Sequence, residues 1–137
     1  ITDGRHDGAL RCVFDPEAES GTLVVASADR MARRKHWIAF TLRPQGTLHI
    51  DDGAVTAIRD KKRSLLPSGV RLVEGSFGAG DCVRCVTTDG REIARGLVSY
   101  SAAEARKLQG AQTRDIDGIL GYKISDEIIH RDDLVIL

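Results

Sequence analysis

Ser64-Leu65-Leu66-Pro67-Ser68-Gly69-Val70 is the stretch on which the reading of this sequence turns. Proline fixes one backbone angle and Ser-Gly follows it, so Leu65 to Gly69 reads as a turn. Val70 to Gly75 then continues as a strand. Upstream, Thr47 to Ile50 alternate as a short strand, and Asp51 or Asp52 stands where it can cap a helix. In that helix Ala54, Ala57 and Ile58 share a face at i, i+3 and i+4. Lys61-Lys62-Arg63 falls at its C-terminal end, where the helix dipole favours cations.

Downstream, Gly80 to Thr87 and Glu92 to Tyr100 read as a hairpin across Thr88-Asp89-Gly90, with Asp-Gly supplying the positive φ angles of a tight turn. Ser101-Ala102-Ala103-Glu104 is a capping-box sequence, and Gly110 closes the helix it opens. Thr113 is placed to cap a further helix with Ile116, Ile119 and Leu120 on one face and Gly121 as its stop. Asp126 to Ile129 and Leu134 to Leu137 complete the pattern as strands. The fold class is therefore mainly β with short helices (α+β), in one domain spanning 46–137.

Residues 1–45 read differently. Asp7 is placed to cap a short helix with Leu10, Val13 and Phe14 on one face, ended by Asp15-Pro16. Gly21 to Ala26 is an apolar run suited to a strand buried on both faces. A helix feeding such a strand implies a parallel sheet whose other strands lie elsewhere, so an exposed apolar face is expected here. Arg30 to Lys35 reads as a basic linker, anchored to the following domain by Trp37, Ile38 and Phe40. The division between the two parts falls near Arg43-Pro44.

Composition excludes several classes. Twenty basic and twenty acidic residues balance, with seven and six before Gly46 and thirteen and fourteen from there on. Neither part has the broad positive excess of a domain that grips nucleic acid through its phosphates. No apolar run approaches the roughly 18 residues of a membrane span, and Arg5, His6 and Asp7 interrupt any signal-like stretch. Three cysteines make no disulfide framework, so a reducing, cytoplasmic setting is expected. The chain begins at Ile1 and its one methionine is Met31, which reads as an excised piece of a longer product.

Several motifs tempt a catalytic reading. His130-Arg131-Asp132 matches a protein-kinase catalytic loop, but that loop needs an asparagine a few residues on, and here Leu134 to Leu137 follow at once. Cys82-Val83-Arg84-Cys85 has metal or redox spacing without a second pair, and positions three apart on a strand face opposite ways. Cys12 reads as a helix-packing residue. Gly75 to Gly80 lacks the Lys-Ser/Thr and the helix that a phosphate loop needs, so it reads as a flexible turn. His36 and His49 have no partner at ligand spacing.

The order of elements from Gly46 to Leu137 resembles a PUA domain, a pseudo-barrel. Several phrases are similar to the glutamate 5-kinase family in particular: Arg34-Lys35-His36-Trp37-Ile38, Ser64-Leu65-Leu66-Pro67, Gly90 to Gly96, Ile119-Leu120-Gly121-Tyr122 and His130-Arg131-Asp132-Asp133. The resemblance implies that residues 1–26 are a helix-strand remnant of an α/β amino-acid-kinase domain, with 46–137 its PUA domain. It also implies an intact, homo-oligomeric enzyme that phosphorylates L-glutamate with ATP and Mg2+ in proline biosynthesis. The family's nucleotide segment, Gly-Gly-Met-x-Thr-Lys, has no counterpart here. No catalytic, cofactor-binding or metal residue therefore carries over, and an accessory role in regulation, assembly or partner binding is expected. The alternative class is an RNA-binding module of the RNA-modification type. The resemblance to PUA domains elsewhere, which grip RNA along the first helix and the turn-strand that follows, implies such a surface at Gly53, Lys61, Lys62, Arg63, Leu66 and Gly69.

Overall fold

The alternating segment at Thr47 becomes β1 (Gly46–Ile50), the strand about which the others assemble. In this computed structural model, which describes residues 1–5, 7–15, 21–22, 24 and 30–137, β1 lies between two neighbours. It pairs antiparallel with β2 (Val70–Gly75) and parallel with β3 (Cys82–Val86). Antiparallel β4 (Glu92–Leu97) and β5 (Leu134–Ile136) complete the sheet in the order β2-β1-β3-β4-β5. The mainly-β architecture with short helices is the one expected. The strand expected over 21–26 and the packing of Leu10 and Cys12 lie outside the described residues. A helix does form at Ala9–Val13 (α1), and Val13, Phe14 and Val24 are exposed around it.

The basic segment is not an irregular linker. It is α2 (Arg30–Phe40), packed against β4 and β5. Of the three expected anchors only Ile38 is buried, and Ala39 joins it; Trp37 and Phe40 face outward. Helical geometry explains the correction, because residues 38 and 39 share a side that 37 and 40 do not. The Arg95 guanidinium donates to the Ala39 carbonyl at 2.9 Å, and Arg34 pairs with Asp133.

Between β1 and β2 stand α3 (Asp52–Arg59) and a 3-10 turn at Pro67–Gly69. The Asp51 carboxylate caps α3 by accepting from the Ala54 amide at 2.8 Å. The helix stops at Arg59, so Lys61, Lys62 and Arg63 lie beyond its end and not in its last turn. The hairpin from β3 to β4 is also looser than expected. Of Asp89-Gly90 only Gly90 takes a positive φ, +81°, and the Thr87 amide donates to the Arg91 carbonyl across a three-residue loop.

Beyond β4 the capping box at Ser101 opens α4 (Ala102–Leu108), with both reciprocal bonds in place. Arg106 on α4 donates to the Val73 and Gly75 carbonyls and so closes the outer edge of β2. Thr113 does not cap α5 (Ile116–Leu120). It begins a 3-10 turn at Thr113–Asp115, and its hydroxyl donates to the Asp126 carbonyl. On α5 Ile116 is buried, whereas Ile119 is exposed.

The strand expected at Asp126 to Ile129 is reduced to one bridge, Leu65 with Ile129. There the Ile128 and Ile129 amides both donate to the one Leu65 carbonyl, and the Ile128 carbonyl accepts from the Ser99 amide. Just upstream, the fully buried Tyr100 hydroxyl accepts from the Ile124 and Ser125 amides and donates to the Ser125 carbonyl at 2.5 Å. Those backbone groups are satisfied without a neighbouring strand. Tyr100→Phe keeps the ring and orphans all three groups. Its urea midpoint should fall by an amount equivalent to about 1–3 kcal/mol with an unchanged m value.

Candidate functional site

The six residues singled out in the sequence gather around the crossover between β1 and β2. Gly53 lies in the first turn of α3, and the Asp51 amide donates to the Gly69 carbonyl at 3.1 Å, holding the helix start against the turn. Gly69 is so close to α3 that an added Cβ would stand 2.5 Å from that of Ala54. Packing alone therefore requires glycine at position 69. Gly53, Arg63, Leu66 and Gly69 line one cleft of about 430 Å³, with the half-exposed Leu66 as its apolar wall.

Lys62 and Arg63 belong to a second cleft, of about 460 Å³. There they meet Lys35 of α2 and Arg131, over a floor that includes Ile58, Leu134 and Val135. Asp132 is the one carboxylate on its wall. Lys61 is exposed and lines neither cleft. The side chains of Lys61, Lys62 and Arg63 make no ion pair among the described residues. An apolar floor under four cations suits an anionic ligand that carries an apolar part. Lys35 and Arg131 were not legible as members of this rim. Each belongs to a different segment, and only the packing of α2 on β5 brings them together.

Lys62 is the only non-glycine residue among those described with a positive φ, +49°. An L-residue there carries a backbone cost of about 1–2 kcal/mol, partly offset in any glycine variant by lost chain entropy. Lys62→Gly should therefore raise unfolding stability by about 0.5–1 kcal/mol, read from thermal or urea melts.

The motifs set aside above have structural duties. His130 caps the 3-10 turn at Arg131–Asp133 through its Nδ1, and the Arg131 amide donates to Ser64 Oγ at 3.0 Å. The loop after Gly75 is closed by Phe77, whose buried ring fills the space over Gly46. His49 pairs with Glu74 at 2.8 Å across β1 and β2. Cys82 and Cys85 are both buried in β3, free of any disulfide. No group of three or more His, Cys, Asp or Glu side chains placed to hold a metal occurs among the described residues. No helix among them is long and apolar enough to cross a membrane.

Burial pushes the Cys85 thiol up to about 12, with the neighbouring Cys82 and Glu92 adding to the effect. Unfolding returns it towards 9.0, so the folded state resists deprotonation more than the unfolded one. The stabilising contribution is complete below pH 9.0 and is lost as pH rises towards about 12. Urea midpoints should decline over that window, and Cys85→Ala, though less stable at neutral pH, should show a shallower decline.

A profile of the PUA domain matches residues 46–120. Over all 137 residues the chain is 56% identical to a glutamate 5-kinase of Geobacter sulfurreducens and covers 36% of that protein. It is 49% identical over 137 residues to a glutamate 5-kinase of Syntrophus aciditrophicus, covering 35% of it. The chain thus spans about a third of the length of these curated relatives. Among solved structures, a PUA domain of Aeropyrum pernix K1 aligns with 47% of this chain and 35% of its own, at 31% identity and a TM-score of 0.44.

Proposed function

The chain belongs to the PUA domain family, and from that premise we propose that it is the accessory module of an ATP-dependent glutamate 5-kinase. The observation that carries this is 56% identity along every residue to an enzyme of that name, about a third of which it covers. The similarity includes α2 and the segment before it, which a PUA profile over 46–120 does not reach.

In the whole enzyme a γ-carboxylate oxygen of L-glutamate attacks the γ-phosphorus of ATP, the bond to the ADP oxygen breaks, and L-glutamyl 5-phosphate forms. Such transfer depends on positioning and on neutralising charge around the phosphoryl group. The module is read as standing apart from that task. The loop at Gly75 to Gly80 leads into a strand, so no helix start faces a phosphate, and Phe77 occupies its interior. The module's contribution is to regulate, assemble or recruit, through the clefts beside α3.

A second reading, an RNA contact, draws on the four cations of the Lys62 cleft. Two measurements separate the readings. The longer polypeptide should form ADP only when both glutamate and ATP are present, while residues 1–137 alone should form none. Structured RNA titrated at rising salt should show no saturable binding to the isolated chain. Binding that weakens steeply with salt and drops several-fold in Lys61→Ala/Lys62→Ala would favour RNA instead.

A further inference from the structure

Helix α2 carries apolar side chains on two opposite sides, and only one of them is covered. On the inner side stand Ile38 and Ala39, with Lys35 one turn before them; Ile38 is 0% exposed and Ala39 3%. On the outer side Arg33, Trp37 and Phe40 follow at i, i+4 and i+7, with Trp37 46% and Phe40 73% exposed. The Phe40 ring lies against His36 at a centroid distance of 4.8 Å. A surface helix needs one apolar stripe, and a second stripe on the far side marks a helix buried from both directions. Tryptophan, phenylalanine and arginine are also the residues that interface cores favour.

The inner side is firmly fixed. Arg34 pairs with Asp133, Arg95 holds the Ala39 carbonyl, and Ile38 enters the core beside β4 and β5. The outer stripe therefore has a set orientation relative to the sheet and is presented as a rigid face. Val13, Phe14 and Val24, earlier in the chain, are exposed as well. These are apolar groups on the segment that leads into α2, and nearly two-thirds of each relative's own length lies outside the part matched here. A covalently linked body meets such a face at an effective concentration in the millimolar range, which favours it over a second copy.

We propose that α2 is an interdomain helix whose Arg33–Trp37–Phe40 stripe is covered by the remaining part of the longer polypeptide, so that the PUA domain is held to it in one fixed orientation. The proposal rests on the reading of this chain as a module of a larger kinase.

Hydroxyl-radical footprinting with mass spectrometry tests it, on residues 1–137 and on the longer polypeptide side by side. Oxidation of Trp37 and Phe40 should be several-fold slower in the longer polypeptide, while the exposed Tyr122 should react equally in both. Equal Trp37 rates in the two would overturn the proposal. So would protection already present in residues 1–137 together with a dimer mass by light scattering, since a second copy would then be the occupant. Glutamate-dependent ADP formation, measured on the same preparation, reports separately on the kinase reading. An active enzyme with unprotected Trp37 sinks the docking alone, and an inactive one with protected Trp37 sinks the function alone.

Discussion

Two strands that run in the same direction cannot be joined by a tight turn, so the parallel pairing of β1 with β3 dictates what the chain must do between Asp51 and Asp81. It has to travel the length of the sheet and return. The sequence fills that journey with α3, the turn at Pro67–Gly69 and β2, which re-enters the sheet antiparallel on the other side of β1. Leu48 and Ile50 of β1 are consequently walled in from both edges and both faces, and each is fully buried. The cleft walled by Leu66 is a by-product of this crossover, because a helix and a turn crossing the end of a sheet leave a hollow at its margin, whereas the Lys62 cleft also needs α2 and β5.

Two further contacts make the crossover unique. The Asp51 carboxylate holds both the Ala54 amide and the Arg71 guanidinium, so one side chain fixes the helix start and the following strand together. Ala54 against Gly69 leaves no room for a side chain at position 69. On the opposite flank, Tyr100 satisfies three backbone groups of Ile124 and Ser125, which lets the chain run irregularly there. Buried polar groups so paired specify one arrangement, since any alternative leaves them without partners.

The cationic cleft follows from charge placement and not from net charge, which is zero. Asp51, Asp132 and Asp133 are committed to Arg71, Arg131 and Arg34, respectively. That leaves Lys35, Lys62 and Arg63 as cations without a described ion pair around an apolar floor. The same helix that contributes Lys35 presents Trp37 and Phe40 away from it.

Local chemistry was enough to fix most elements: the alternation at Thr47, the Asp51 and Ser101 caps and the Leu65–Gly69 turn each depend on residues within one turn of one another. The phrases from Arg34 to Asp133 likewise carried the family resemblance, because each is contiguous. What the sequence could not decide were the features that need distant partners. Whether 126–129 would be a strand depended on Leu65 and Ser99, and whether Thr113 would cap depended on the Asp126 carbonyl. Which of Trp37, Ile38 and Phe40 would be buried depended on where β4 and β5 met α2. A helical phase names the faces of a helix, and only the tertiary fold chooses which of them the core receives.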